Sequence, residues 1–155
     1  MKSEVPYPRM AKTLHKRVLA DKHTKYIDIL SKIASDLSPV KSARLAACVV
    51  LQNDIISFGV NEMKSHPFQA RYGKNSDAVY LHAETSAIKN ALKYISLADL
   101  KRSSLYICRV KYTDATKTKL MFGTAKPCAG CFRCINTFDI SRVYFTLDNQ
   151  QCDML

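Results

Sequence analysis

The chain has 155 residues, 47% of them hydrophobic and 24% charged, and its formal net charge is +11. These values exclude an intrinsically disordered chain and predict a single domain over residues 1–155. The charge indicates an anionic partner, such as a nucleotide phosphate or a nucleic acid, and favours a membrane surface less. Because the sequence shows neither an apolar run of about 20 residues nor a secretory signal, we expect a cytoplasmic location and no membrane partner.

The first predicted elements are an irregular lead-in over residues 1–11 and a helix over 12–37. The helix follows from apolar residues that recur at spacings of three and four, which give it one buried face. Two apolar runs, 45–51 and 55–60, flank an Asn-Asp turn signal. They predict a hairpin that is buried on both faces.

A long polar loop is predicted over 61–81, and a second helix follows at about 83–95. Residues 103–112 form a third predicted strand, which leads into a charged loop. A third helix is predicted to begin near Cys128, and residues 142–146 have the β-branched and aromatic composition of a fourth strand.

Residues 147–155 predict only a short tail, so the core is expected over 12–146. The order of elements is helix, two strands, helix, strand, helix, strand. Strands that alternate with helices indicate parallel pairs joined by crossover helices, and the initial hairpin adds an antiparallel strand. The sequence therefore predicts an α/β fold with a mixed sheet and helices packed on it.

The six cysteines are predicted to be reduced thiols, because the chain can bury a core without disulfides and carries no export signal. Cys48 and Cys108 lie in apolar, strand-like runs and are expected to pack as small hydrophobic residues. Cys128 and Cys131 are different, because C-x-x-C spacing can place two sulfur atoms on one zinc ion.

Taken alone, this C-x-x-C pair leaves several interpretations open. A structural zinc site would need four protein ligands, and the remaining ligand could be Cys134, His66 or Cys152. A redox pair would form a reversible disulfide and would not require a histidine. The pair does not decide between these sites and a catalytic zinc.

His82 adds a third ligand type to the pair. It lies just before the second predicted helix, and Cys128 and Cys131 lie at the start of the third. Helix N-termini favour thiolates, and two of them meeting at one sheet edge would bring the three ligands together. Three protein ligands leave a fourth position for water, which is the arrangement of a catalytic zinc. Glu84, in the first turn of its helix, could then move the protons.

The H-A-E at 82–84 and the P-C-x-x-C at 127–131 resemble the signature of the zinc-dependent cytidine and deoxycytidylate deaminase superfamily. Gly59-Val60-Asn61 is similar to the Gly-x-Asn of that family. Arg142-Val143-Tyr144 resembles the strand that carries a substrate-side tyrosine in deoxycytidylate deaminases. The resemblance covers about residues 25–146.

This resemblance implies a single-domain, three-layer α/β/α cytidine-deaminase-like fold, in the compact form of bacteriophage deoxycytidylate deaminases, with a host cytoplasm as the location if the chain is viral. It implies hydrolysis of dCMP to dUMP and ammonia with one zinc ion per chain. Water activated by zinc would attack C4 of cytosine, while Glu84 protonates the neighbouring ring nitrogen and the leaving amine. The resemblance also implies a homo-oligomer, and it leaves open whether a nucleotide with Mg²⁺ acts as an effector.

The expected contacts with a nucleotide substrate come from three parts of the chain. The resemblance implies that Asn61 contacts the sugar or base, that Ala83 helps to position the base, and that Tyr144 lines the pocket. Basic and aromatic residues also interleave in the long loop, which suits a nucleotide. The phosphate candidates are Lys64, His66, Arg71 and Lys74, and the stacking candidates are Phe68 and Tyr72.

Two alternative functions remain open from the sequence. A deaminase that acts on tRNA adenosine or on single-stranded DNA cytosine would account for the charge of +11 and for the basic N-terminal segment. A zinc-stabilised binding module without catalysis would have a fourth protein ligand, with Cys134 as the best candidate, and no use for Glu84.

Overall fold

The structure, a computed structural model, describes residues 21–37, 44–73, 81–113, 115, 119–148 and 151–154. The predicted lead-in over 1–11 and the first part of the predicted helix over 12–37 lie outside these residues. The helices are α1 (Asp21–Ser35), α2 (Pro67–Tyr72), α3 (Ala83–Ala91), α4 (Leu97–Lys101) and α5 (Ala129–Thr137). The strands are β1 (Arg44–Leu51), β2 (Asp54–Val60), β3 (Ser104–Tyr112), β4 (Leu120–Gly123), β5 (Arg142–Leu147) and β6 (Gln151–Met154).

The strands form one mixed sheet in the order β2-β1-β3-β5-β6, and β4 pairs with the far end of β3. β1 is antiparallel to both β2 and β3, so β2 and β3 run in the same direction on either side of it. β3 and β5 are parallel neighbours, and β6 is antiparallel to β5. The predicted mixed sheet with flanking helices is confirmed.

The predicted hairpin is formed by β1 and β2. Gln52 and Asn53 make the turn with φ values of 51° and 71°, and two consecutive positive φ values match the twist of a two-residue hairpin loop. The expectation that both strands are buried on both faces is wrong for β2. β2 is an edge strand of the sheet, and Phe58 on it is 41% exposed.

The core has two parts, one on each face of the sheet. Along β3 the side chains alternate, so that Tyr106 and Cys108 face α1 while Leu105 and Ile107 face the layer of α3, α4 and α5. α1 packs mainly on β1 and β3. The fold therefore has three layers, with the sheet in the middle, and burying apolar residues on both of its faces stabilises it.

Helices α3 and α5 cross between strands that run in the same direction. α3 lies between β2 and β3 in the chain, and α5, which follows β4, lies between the parallel strands β3 and β5, so both helices begin at the edge where β2, β3 and β5 end. α3 lies so close to β2 that a Cβ atom at Gly59 would overlap the backbone of Ala83 and Ala87. The need for glycine in the G-x-N segment is therefore explained by helix–sheet packing.

Four short elements, α2, α4, β4 and β6, were not predicted. α2 lies inside the predicted loop over 61–81, and its six residues are too few to show a helical period. Its start could have been read, because His66 caps it and Pro67 occupies the first turn. β4 ends the predicted charged loop, and β6 pairs with β5 inside the predicted tail over 147–155. None of the described helices is long and apolar enough to cross a membrane.

Candidate functional site

The three predicted metal ligands lie together at the N-termini of α3 and α5. His82 is the N-cap residue of α3, and Cys128 is the N-cap residue of α5, with Cys131 in the first turn of the same helix. The His82 Nδ1 atom lies 3.3 Å from Cys131 Sγ and 3.6 Å from Cys128 Sγ. Each residue offers a donor atom within 4.8 Å of the other two.

This arrangement fits a zinc ion. Bonds of about 2.0–2.3 Å in a tetrahedral site separate a nitrogen ligand from a sulfur ligand by about 3.6 Å. The nitrogen–sulfur distances of 3.3 and 3.6 Å are close to that separation. Within the described parts of the chain, the group has no fourth His, Cys, Asp or Glu member. Three protein ligands of this kind match an open site rather than a closed structural one.

The other proposed ligands are elsewhere. Cys134 is on the buried face of α5, in the core on the α3 side of the sheet, and Cys152 is buried on the α1 face of the sheet. His66 is used as a helix cap, where its Nδ1 accepts a hydrogen bond from the Phe68 amide at 3.0 Å. The binding-module hypothesis therefore loses its proposed fourth ligand. The thiols of Cys128 and Cys131 are free and not joined in a disulfide.

The pKa values of the two cysteine thiols in the metal group are shifted in opposite directions. Hydrogen bonding to the Cys131 thiol, followed by that to His82, lowers the pKa of Cys128. The pKa of Cys131 is raised, chiefly because its proton is shared with Cys128 and because it is buried. The hydrogen bond to Cys128 also raises the pKa of His82. A thiolate at the start of α5 is the form that binds a metal.

Glu84 lies in the first turn of α3, two residues after His82, and its side chain is buried against Cys131. Burial raises the pKa of this carboxyl, although its backbone hydrogen bond and His82 act in the opposite direction. A buried carboxyl beside a metal position, with its pKa raised above the ordinary value, is suited to accept and to donate a proton.

The residues predicted to contact the sugar and base have these positions. Asn61 follows β2, and its Oδ1 accepts a hydrogen bond from the Leu45 amide at 3.0 Å, which extends the pairing of β1 and β2. Ala83 is buried directly after His82 at the start of α3. Both lie at the sheet edge where α3 begins, so a contact with a bound base or sugar remains a prediction.

The residues predicted to contact a phosphate differ in their surroundings. Lys64 and Arg71 are exposed near α2, and their role stays a prediction. The imidazole of His66 is occupied by capping α2, which gives it a structural function. Lys74 lies outside the described residues.

The predicted stacking residues belong to the packing between α2 and α5. Phe68 is stacked on Phe138 with ring centroids 6.1 Å apart, and it meets Tyr72 edge-on at 5.5 Å. The Phe68 ring is half-buried and Tyr72 is buried. Packing between helices therefore explains the spacing of Phe68 and Tyr72 without base stacking.

Tyr144 does not lie with the metal group. It faces α1 on the opposite side of the sheet, where its ring is stacked on Tyr106 at 4.8 Å and lies 4.3 Å from the ring of His23. These rings line a separate cavity of about 360 Å³ that also contacts Arg102 and Arg142. The structure thus corrects the prediction that Tyr144 lines the substrate pocket.

Sequence patterns gave no sign of two partly buried polar contacts beside the metal group. The side chain of Gln69 in α2 accepts a hydrogen bond from the His82 amide, and the guanidinium of Arg133 in α5 donates to the Tyr72 carbonyl. Only the positions of α2, α3 and α5 in space bring these groups together.

Comparison with known proteins identifies the family. The model described as the cytidine and deoxycytidylate deaminase zinc-binding region matches residues 20–147. The chain belongs to the cytidine and deoxycytidylate deaminase family. The resemblance in the H-A-E and P-C-x-x-C segments is therefore confirmed, and it supports a zinc-binding hydrolase that acts on a carbon–nitrogen bond. No curated protein matches the chain in sequence.

Two solved structures of this family share the fold. The dCMP deaminase from the cyanophage S-TIM5, in complex with dCMP and dUMP, has a TM-score of 0.51 and 19% identity, covering 78% of this chain and 77% of that one. The cytidine deaminase from Burkholderia pseudomallei has a TM-score of 0.54 and 15% identity, covering 86% and 91%. At these identities the likeness establishes a cytidine-deaminase-like fold.

Proposed function

We propose that this protein hydrolyses dCMP to dUMP and ammonia at the group formed by His82, Cys128, Cys131 and Glu84. The observation that carries the proposal is the convergence of three metal-binding side chains and one buried carboxyl at the N-termini of α3 and α5. His82, Cys128 and Cys131 would hold zinc. Zinc bound there supplies a Lewis acid that activates water at neutral pH.

Glu84 performs the proton transfers in this proposal. It accepts a proton from the attacking water and passes it to the ring nitrogen next to C4. After oxygen has bonded to C4, Glu84 takes the second proton of the water and delivers it to the departing amine, so that ammonia leaves and a carbonyl remains. The buried position of Glu84 supports this role, because a carboxyl shielded from solvent exchanges its proton with the reacting atoms.

The choice of dCMP as substrate rests on the family motifs, on one solved structure that shares the fold, and on two exposed cations of this chain. The motifs resemble those of deoxycytidylate deaminases, and the S-TIM5 protein that shares this fold was solved with dCMP and dUMP. Lys64 and Arg71 are exposed cations on the segment that leads to His82, where they could meet a phosphate. We propose that these two residues, together with Asn61 and the Ala83 backbone, bind the nucleotide.

A second candidate substrate is a nucleic acid. The net charge of +11 exceeds what one phosphate of a mononucleotide requires, and it would suit a deaminase of tRNA adenosine or single-stranded DNA cytosine. Both candidates use the same metal group and Glu84, so substrate conversion is what separates them.

A substrate panel tests the proposal. We expect the zinc-loaded protein to convert dCMP to a product one dalton heavier in mass spectrometry, as replacement of NH₂ by OH requires. CMP, deoxycytidine, dCTP, adenosine and a single-stranded oligonucleotide are assayed in parallel. Conversion of dCMP in preference to the others supports the proposal. Conversion of the oligonucleotide alone would replace it with nucleic-acid deamination, and no conversion by protein that holds zinc would refute catalysis.

A further inference from the structure

Gln69, in α2, is fully buried beside the metal group. Its Oε1 accepts a hydrogen bond from the His82 amide at 3.1 Å and a second, short one from the Thr85 hydroxyl. The orientation of the amide group is set by chemistry, because the His82 N–H can only donate and therefore requires the oxygen. The Gln69 Nε2 atom has no hydrogen-bond partner among the described residues.

The hydrogen bond from Gln69 holds the backbone of His82 at a position where α3 itself offers the His82 amide no partner. His82 is the N-cap residue of α3, and its side chain does not cap the helix, since its Nδ1 faces the two sulfur atoms. The His82 amide also lies before the first helical N–H groups and has no carbonyl partner within the helix. The Gln69 oxygen supplies that partner and so fixes the backbone from which the imidazole extends.

The same short helix is attached to the helix that carries the cysteines. Arg133 in α5 donates from its Nε to the Tyr72 carbonyl at 2.9 Å, and a second guanidinium nitrogen donates to the same oxygen. Close packing accompanies this contact, because a Cβ atom at Gly130 would lie 3.3 Å from that carbonyl oxygen. α2 thus bonds to α3 at one position and to α5 three residues later.

We propose that α2 braces the metal group, with Gln69 as the positioning residue for His82 and Arg133 as the positioning residue for Cys128 and Cys131. The proposal rests on the zinc site described under the proposed function. The distance between the His82 nitrogen and the sulfur atoms depends on how α3 and α5 sit relative to each other. α2 ties both helices together, so it sets the separation that a small ion requires.

The side-chain oxygen of Gln69 is the atom that accepts the hydrogen bond from the His82 amide. An apolar side chain of similar length would avoid the cost of burying the unpaired Nε2, but it would leave the His82 amide without an acceptor. Outer partners of metal ligands typically change metal affinity by about 10–100-fold when they are removed. The brace therefore predicts an effect on zinc binding, beyond any effect on folding.

The test measures the zinc dissociation constant by competition with a chromophoric chelator. Gln69→Met, which removes the acceptor at similar volume, is expected to weaken zinc binding about 10–100-fold. Gln69→Glu keeps both acceptor contacts and should bind zinc much closer to the wild-type affinity. Ala70→Ser, at an exposed position of the same helix, is the matched control and should bind as the wild type does.

Arg133→Met provides the second half of the test, because Arg133 is only half-buried and its loss should not prevent folding. It is expected to weaken zinc binding about tenfold by releasing α5 from the Tyr72 carbonyl. Wild-type affinity in either folded variant, Gln69→Met or Arg133→Met, would overturn the brace. Equal losses in Gln69→Met and Gln69→Glu would also overturn it, because packing and not the acceptor would then be responsible. A wild-type protein that binds no zinc would instead refute the metal site.

Discussion

Replacing Glu84 with glutamine is expected to leave zinc bound and to reduce kcat for dCMP by about 10⁴-fold. Glutamine keeps the size of the side chain and fits the same buried space in the first turn of α3. It cannot accept the proton of the attacking water or deliver it to the ring nitrogen and the amine. The measurement is dUMP formation by mass spectrometry, alongside the zinc content of the same sample.

Asp139→Asn is the matched control for Glu84→Gln, since it also removes one carboxylate charge. Asp139 is exposed just after the C-terminal end of α5, away from the helix start that carries the cysteines. It should keep wild-type turnover. If Glu84→Gln kept turnover while holding zinc, Glu84 would not be the proton carrier and the proposed chemistry would be wrong.

Replacing Cys131 with alanine is expected to abolish zinc binding and deamination together. Cys131 provides one of three ligand atoms, and the two that remain cannot hold zinc against a competing chelator. The loss of affinity should exceed the roughly 10–100-fold that removal of an outer partner causes. Zinc content after dialysis and dUMP formation provide the two measurements.

Cys134→Ala is the control for that prediction, because Cys134 lies on the same helix and is also buried, but outside the metal group. We expect the variant to retain zinc and activity and to lose only thermal stability, since it deletes one buried sulfur atom. Loss of zinc in Cys134→Ala, with retention in Cys131→Ala, would reverse the ligand assignment and favour a different site.

The metal group could be predicted from the sequence because its residues are tied to helix starts. His82 and Cys128 each precede a stretch with helical periodicity, and the C-x-x-C spacing places Cys131 one turn further on. Those features are local, so they are readable without tertiary structure. Strand β1 could also be predicted, since a continuous apolar run of that length is typical of a strand buried on both faces.

The position of Tyr144 could not be predicted in the same way. A strand alternates its side chains, so Val143 and Tyr144 must face opposite sides of the sheet, but the sequence does not say which side α5 covers. The contact of Gln69 with His82 could not be predicted from the sequence for a related reason. A single buried glutamine forms no sequence pattern. Its side-chain oxygen meets the His82 amide only because α2 packs against the start of α3.

The aromatic residues and His66 of the long loop show how a short helix can account for a pattern that resembles a binding loop. Phe68 and Tyr72 lie four residues apart, as two residues on one face of a helix do, and they pack between α2 and α5. His66 before Pro67 is a helix-start signal as much as a phosphate contact. Aromatic and basic residues in a segment therefore indicate a binding loop only when no short helix accounts for them.

Zinc X-ray absorption spectroscopy on the loaded wild-type protein distinguishes an open catalytic zinc site from a closed structural one. We expect one zinc per chain with two sulfur ligands, one imidazole nitrogen and a fourth, lighter ligand that dCMP or dUMP perturbs. Three sulfur ligands, or four protein ligands that the nucleotide leaves unchanged, would contradict an open catalytic site and indicate a structural zinc instead.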